Sequence, residues 1–157
     1  MDKAKLLERL IDGRARWDEA LAGIDESHLA EPGASGEMSI KDLIAHVTWY
    51  EHEMVGLLDQ RALVGSELWG LSDAERNAAI LAANRERPLG EVRAEAQRVF
   101  EQLVEAVRSL SDEELVDASK YRDMPADWVP WQLLADNSYE HYEHHMPDVE
   151  ALAREEP

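Results

Sequence analysis

In the run Glu140-His141-Tyr142-Glu143-His144-His145, His141 and His145 stand four residues apart within a segment of helical hydrophobic period. On a helix that spacing brings Cβ atoms to about 5–6 Å, near enough for two imidazoles to converge on one metal ion. Followed at about 100° per residue, Leu134, His141, His145 and Leu152 share one stripe, flanked by Asn137 and Ser138, while Tyr139, Glu143 and Met146 fall on exposed faces. The expected stripe is therefore buried but interrupted by imidazoles, an amide and a hydroxyl, groups that need partners once removed from water. Two readings remain open: core histidines satisfied by hydrogen bonds, or histidines used for a metal or for catalysis.

A third ligand has a source in the segment Ser39-Ile40-Lys41-Asp42-Leu43-Ile44-Ala45-His46. It opens with a capping serine and an acidic residue three positions later, and its apolar stripe continues through Ile40, Leu43, Ile44, Val47, Tyr50, Met54, Leu57 and Leu58. His46 lies at the inner edge of that stripe. Tyr50 is one turn further on and Glu53 two turns, which makes them candidates for proton donor and general base; the structural alternatives are a packed aromatic and a solvated carboxylate. His52 falls opposite the stripe and is expected in solvent, as is His144, while His28 sits in a connection.

The elements that must position these residues are helical. A first helix is expected from Asp2 to Ile24, with Leu6, Leu10, Trp17, Leu21 and Ile24 on one face. The breakers Glu31-Pro32-Gly33-Ala34-Ser35-Gly36-Glu37 separate it from a second helix, Ser39 to Gln60. Ser72-Asp73-Ala74-Glu75 starts a shorter helix to about Asn84, and Pro88 opens a long one with the stripe Val92, Ala96, Val99, Leu103, Val107 and Leu110. Ser111-Asp112-Glu113-Glu114 caps a short turn, Ser119 to Pro130 reads as a loop carrying Trp128, and Pro130 starts the last helix. Pro147 conflicts with that helix and predicts a kink or an end just after His145. Four long helices without a strand period predict an all-α, up-and-down four-helix bundle with short additional helices, in one domain spanning residues 1–157.

Composition narrows the chemistry. With no cysteine, disulfides, a protein thiol nucleophile and thiolate metal ligation are excluded, so any ion must be held by nitrogen and oxygen. The formal charge of −18 argues against binding nucleic acid or anionic lipid, whose phosphates would be repelled. No apolar run long enough to span a membrane and no secretory leader is legible, so a cytoplasmic location is expected, with a homodimer as a further expectation. Trp49, Trp69, Trp128 and Trp131 are read either as the lining of a pocket for a flat ligand or as packing, and Glu140 and Glu143 either as partners orienting ring nitrogens or as helix-face ion pairs.

Taken together, the run from Gly36 to Glu51 and the later Glu140-His141-Tyr142-Glu143-His144-His145 resemble the DinB-like (YfiT-like) four-helix bundle superfamily of metalloenzymes. Trp69, Asn77, Asn84 and the stretch Leu110-Ser111-Asp112-Glu113-Glu114-Leu115 are similar to the branch that includes ClbS and DfsB. The resemblance implies a divalent metal ion, nickel or zinc, held by His46, His141 and His145. It implies a hydrolase or thiol transferase acting on a small reactive electrophile, with water or a low-molecular-weight thiol cosubstrate as nucleophile. The ClbS branch implies an alternative: metal-independent opening of a cyclopropane, or sequestration, protecting against a genotoxic small molecule.

Overall fold

The computed structural model describes residues 1–155, and among them every regular element is helical. Six α-helices follow in order: α1 (Lys3–Ala22), α2 (Ile40–Gln60), α3 (Asp73–Asn84), α4 (Leu89–Arg108), α5 (Pro130–Asp136) and α6 (Tyr139–Glu155). The four long ones, α1, α2, α4 and α6, make the expected bundle, and α3 and α5 are the short additions. Extended pairing among the described residues is confined to the isolated bridges Ser35–Met38 and Ala62–Arg122. No described helix is long and apolar enough to cross a membrane.

The helix starts follow their local chemistry. Ser39 accepts from the Asp42 N–H at 3.1 Å while Asp42 Oδ2 accepts from the Ser39 N–H at 3.0 Å, so two of the orphan donors of α2 are satisfied reciprocally. Ser72 and Glu75 do the same for α3. Asp2 caps α1, and Pro130 takes the first position of α5, where its missing N–H costs nothing.

Packing joins α2 chiefly to α4 and α6 chiefly to α1. One apolar cluster runs through all four, with Leu6 and Leu10 from α1, Leu43 and Leu57 from α2, Val99 and Leu103 from α4, and Val149 from α6 all at or below 2% exposure. α2 is the most enclosed of them because α3, α4 and α6 cover different sides, which is how a histidine at the edge of its stripe becomes buried.

The C-terminal helix departs from expectation in three respects. It is broken at Asn137 and Ser138, so the phase carried from Leu134 to His141 does not survive the break. Tyr139, expected in solvent, is 4% exposed and packs on Gly13 of α1 so closely that a Cβ at Gly13 would lie 2.7 Å from the Tyr139 Cβ. The core face of α6 is Tyr139, Tyr142 and Val149, roughly 90° around the helix from the histidines, and Met146, also expected in solvent, is partly buried beside them with Ala153. Finally, of the two outcomes expected at Pro147, a kink or an end, the end does not occur: α6 continues through Pro147 to Glu155. Pro147 and Glu143 are both exposed, so the carbonyl left without its N–H partner lies on the solvent side.

Candidate metal centre

Because the tyrosines of α6 face α1, its histidines are turned toward α2. There His141 Nε2 lies 3.1 Å from His46 Nε2 and 3.0 Å from His145 Nε2. The three donor atoms fall within 4.8 Å of one another. His46 is 4% exposed, and His141 and His145 are half-buried.

Hydrogen bonds among the rings cannot satisfy this arrangement. Each Nε2 carries either one proton or one in-plane lone pair. A single bond between His141 and one neighbour therefore leaves the other neighbour's Nε2 facing a nitrogen whose one proton or lone pair is already engaged. An ion with Zn–N bonds of about 2.0–2.1 Å holds adjacent nitrogens roughly 2.9–3.4 Å apart, for interbond angles between right and tetrahedral, and both observed spacings fit that range. An all-imidazole donor set suits zinc, nickel, copper or iron better than magnesium or calcium.

The electrostatics act in the same direction. Burial pushes His46 down to about 4, with His145, His144 and Arg76 adding repulsion. Burial and the neighbouring histidines push His141 to about 3, and burial with His144 lowers His145 to about 4. All three rings are neutral at pH 7, the form in which imidazole ligates. The Nδ1 atoms of His46 and His141 are buried without a partner, so no protein group orients these rings through their second nitrogen. Glu143 is ion-paired with Arg16 at 3.2 Å on the surface, and Glu140, also exposed, does not reach either ring.

Tyr50 is brought against the cluster, its ring centroid 5.1 Å from that of His46 and 4.9 Å from that of His141. Its hydroxyl donates to Asn77 Oδ1 at 2.7 Å and accepts from Arg76 Nε at 3.0 Å, both from α3. Glu53 is placed in the adjoining wall. Its Oε2 accepts from the Ser66 N–H at 2.8 Å and from Trp69 Nε1 at 2.7 Å, tying the loop after α2 to the helix. Trp69 in turn packs on Tyr50, with centroids 5.6 Å apart, and on Trp49 at 5.3 Å. His52 and His144 are exposed, as their positions predicted.

Sequence reasoning missed a second buried polar cluster one turn away. Glu51, 1% exposed, accepts a hydrogen bond from the Tyr142 hydroxyl, and Arg14 reaches both, 3.4 Å from Tyr142 Oη and 3.7 Å from Glu51 Oε2. Trp17 stacks on Tyr142 at 5.4 Å, and the Arg14 guanidinium sits 4.6 Å over the Phe100 ring. A warning was present in the helical phase: Glu51 lies one residue from Tyr50 and four from Val47, too close to the α2 stripe for solvent.

The helical bundle defines a class of fold, and the family match gives that class a name. The sequence model of the DinB superfamily matches residues 9–147, and the chain belongs to that superfamily. An uncharacterised protein from Escherichia coli UTI89 superposes with a TM-score of 0.82 at 18% identity, over 98% of this chain and 93% of the other. ClbS, a colibactin self-resistance protein solved with double-stranded DNA, superposes at 0.82 with 15% identity, over 99% and 98% of the two chains. DfsB, described as a sibling lethal factor precursor, gives 0.81 at 18% identity, over 98% and 96%. At such identities the likeness is one of fold. No curated protein matches the sequence.

Proposed function

We propose that this chain is a metal-dependent hydrolase or thiol transferase acting on a small reactive electrophile, with His46, His141 and His145 holding a divalent ion, nickel or zinc. The observation that carries this reading is the pair of Nε2 spacings, 3.0 and 3.1 Å, among rings that burial keeps neutral. When bound, such an ion would supply Lewis acidity, polarising an oxygen of the electrophile or lowering the pKa of the attacking water or thiol.

The protein's own contribution is to hold and to exclude. Three neutral donors leave the charge of the ion uncompensated, and two helices fixed by separate core contacts set their separation. Tyr50 lays aromatic surface against His46 and His141, and Trp49 and Trp69 pack behind it. Of the two proton-bearing candidates, Tyr50 is the one in ring contact with the histidines, and Arg76 donates into its oxygen, so charge building there meets a guanidinium. With no cysteine in the chain, the nucleophile is water or a low-molecular-weight thiol cosubstrate.

Metal analysis of protein purified without a histidine tag tests the reading. About one divalent ion per chain is expected, falling to near zero in His46→Ala. Metal-free protein that still consumes many equivalents of an electrophile would instead place it with metal-independent hydrolases, and consumption that stops at one equivalent would make it a sequestering protein.

A further inference from the structure

Beside the C-terminal half of α2 lies a cavity of about 250 Å³, smaller than the ~300–1,000 Å³ of sites for drug-sized ligands and suited to one ring with a short arm. Met54 of α2 and Leu133 of α5 give it apolar walls, and Trp69 and Trp128 close it with indoles that are 38% and 42% exposed. Grouped around one cavity, rings this open offer apolar and π surface to a ligand. The charged group in the lining is Glu53. Both of its hydrogen bonds fall on Oε2, from Ser66 and Trp69, which leaves Oε1 to meet a ligand. The wall also depends on Gly65, where a Cβ would collide with the Glu53 carboxylate and stand 2.9 Å from the Trp69 indole.

A fixed carboxylate beside exposed indole surface, inside an apolar cup, matches an organic cation: the carboxylate takes the charge and the rings take the cation–π and apolar contacts. The formal charge of −18 raises the local concentration of such ligands further. Trp69 links the cavity to the histidines, since its ring meets Tyr50, whose ring meets His46 and His141.

We propose that this cavity binds an ammonium compound bearing a single ring or branched apolar group, its nitrogen against Glu53 Oε1 and the indoles of Trp69 and Trp128. Taking that compound as an arm of the substrate rests on the metal-centre reading; the binding site itself does not. The test therefore uses metal-free protein, with 2-phenylethylammonium as probe and 2-phenylethanol as its neutral counterpart, followed by tryptophan fluorescence and saturation-transfer NMR. The ammonium is expected to bind about tenfold tighter than the alcohol. Glu53→Gln, which keeps a carbonyl oxygen for Ser66 and Trp69, removes that preference, and Leu133→Trp, which fills the cup, abolishes binding of both probes. His46→Ala leaves probe binding unchanged, so metal binding and cavity binding fail separately. Equal affinity for the two probes, no saturable signal below about 10 mM, or a preference that survives Glu53→Gln overturns the proposal.

Discussion

Two polar clusters span the gap between α2 and α6 about one turn apart, and they solve the problem of burial in opposite ways. Around Glu51, each polar group has a partner: Tyr142 donates to the carboxylate, Arg14 reaches both, and Asp18 takes the remaining guanidinium edge at 2.9 Å. Around His141, three Nε2 atoms converge within 4.8 Å of one another, and the Nδ1 atoms of His46 and His141 have no hydrogen-bond partner. A closed network of this kind fixes helices in register. An open one of comparable burial is unfavourable by itself and persists where a ligand completes it. The contrast separates a structural pin from a site, although Glu51 and Tyr142 of the one stand on the same two helices as His46 and His141 of the other.

If that contrast holds, substitutions in the two clusters should fail in different assays. The largest effect is expected for His141→Ala, which removes the nitrogen shared by both close contacts. Metal affinity should fall more than about 100-fold by titration with a chromophoric chelator, beyond the usual loss for an outer partner, while the melting temperature of metal-free protein stays level or rises. Next comes Arg14→Met, which strands a carboxylate that is 1% exposed. Denaturant unfolding should show a loss of about 3 kcal/mol with metal stoichiometry retained. Tyr142→Phe keeps the stacking on Trp17 and removes the hydroxyl between Glu51 and Arg14, at a cost of about 1–3 kcal/mol in the same measurement. Loss of metal in the Arg14 or Tyr142 variants, or loss of stability in His141→Ala, would erase the distinction.

The smallest expected effect is one of pH, and its sign differs between the clusters. The imidazoles are lowered from 6.5 to between about 3 and 4, so in metal-free protein their contribution to stability is full above pH 6.5 and is lost as the pH falls toward 4, because the unfolded chain takes up protons first. Glu51 is raised from 4.5 to about 7 by desolvation, against the pull of Arg14, so its contribution is full below pH 4.5 and is lost as the pH rises through 7. For metal uptake the consequence is a level profile. Ordinary imidazoles with a pKa near 6.5 compete with protons by about tenfold per ring at pH 5.5, whereas these should bind metal with nearly the same affinity from pH 7.5 to 5.5. A steep fall in affinity below pH 6.5 would mean that the rings are wetter than the structure has them.

Much of the site was legible because its signals are local. Ser39 and Asp42 mark the start of α2, which fixes the phase of His46 against Leu43 and Val47, and the four-residue spacing of His141 and His145 needs only a helix to bring them together. What failed was phase carried across a break. Asn137 and Ser138 interrupt the helix, so Leu134 gave no guide to which face of α6 is buried; the real core face is set by Tyr139 closing on Gly13, a contact made across 126 residues of chain. Glu53 and Tyr50 share a side of α2 in sequence, but the loop at Ser66 and Trp69 and the side chains of α3 decide what each one touches.

By itself, then, the sequence determined the long helices of the first two-thirds of the chain, their caps, a donor set without sulfur and the three histidines that meet, since each depends on residue type and spacing within a few turns. Only the tertiary structure decided that the histidines face α2 while the tyrosines face α1, that Glu51 is enclosed with Arg14, and that Glu53 belongs to a cavity wall. These depend on which helix packs against which face, and burial, the quantity that sets both the charge of an imidazole and the cost of a carboxylate, exists only once the helices have packed.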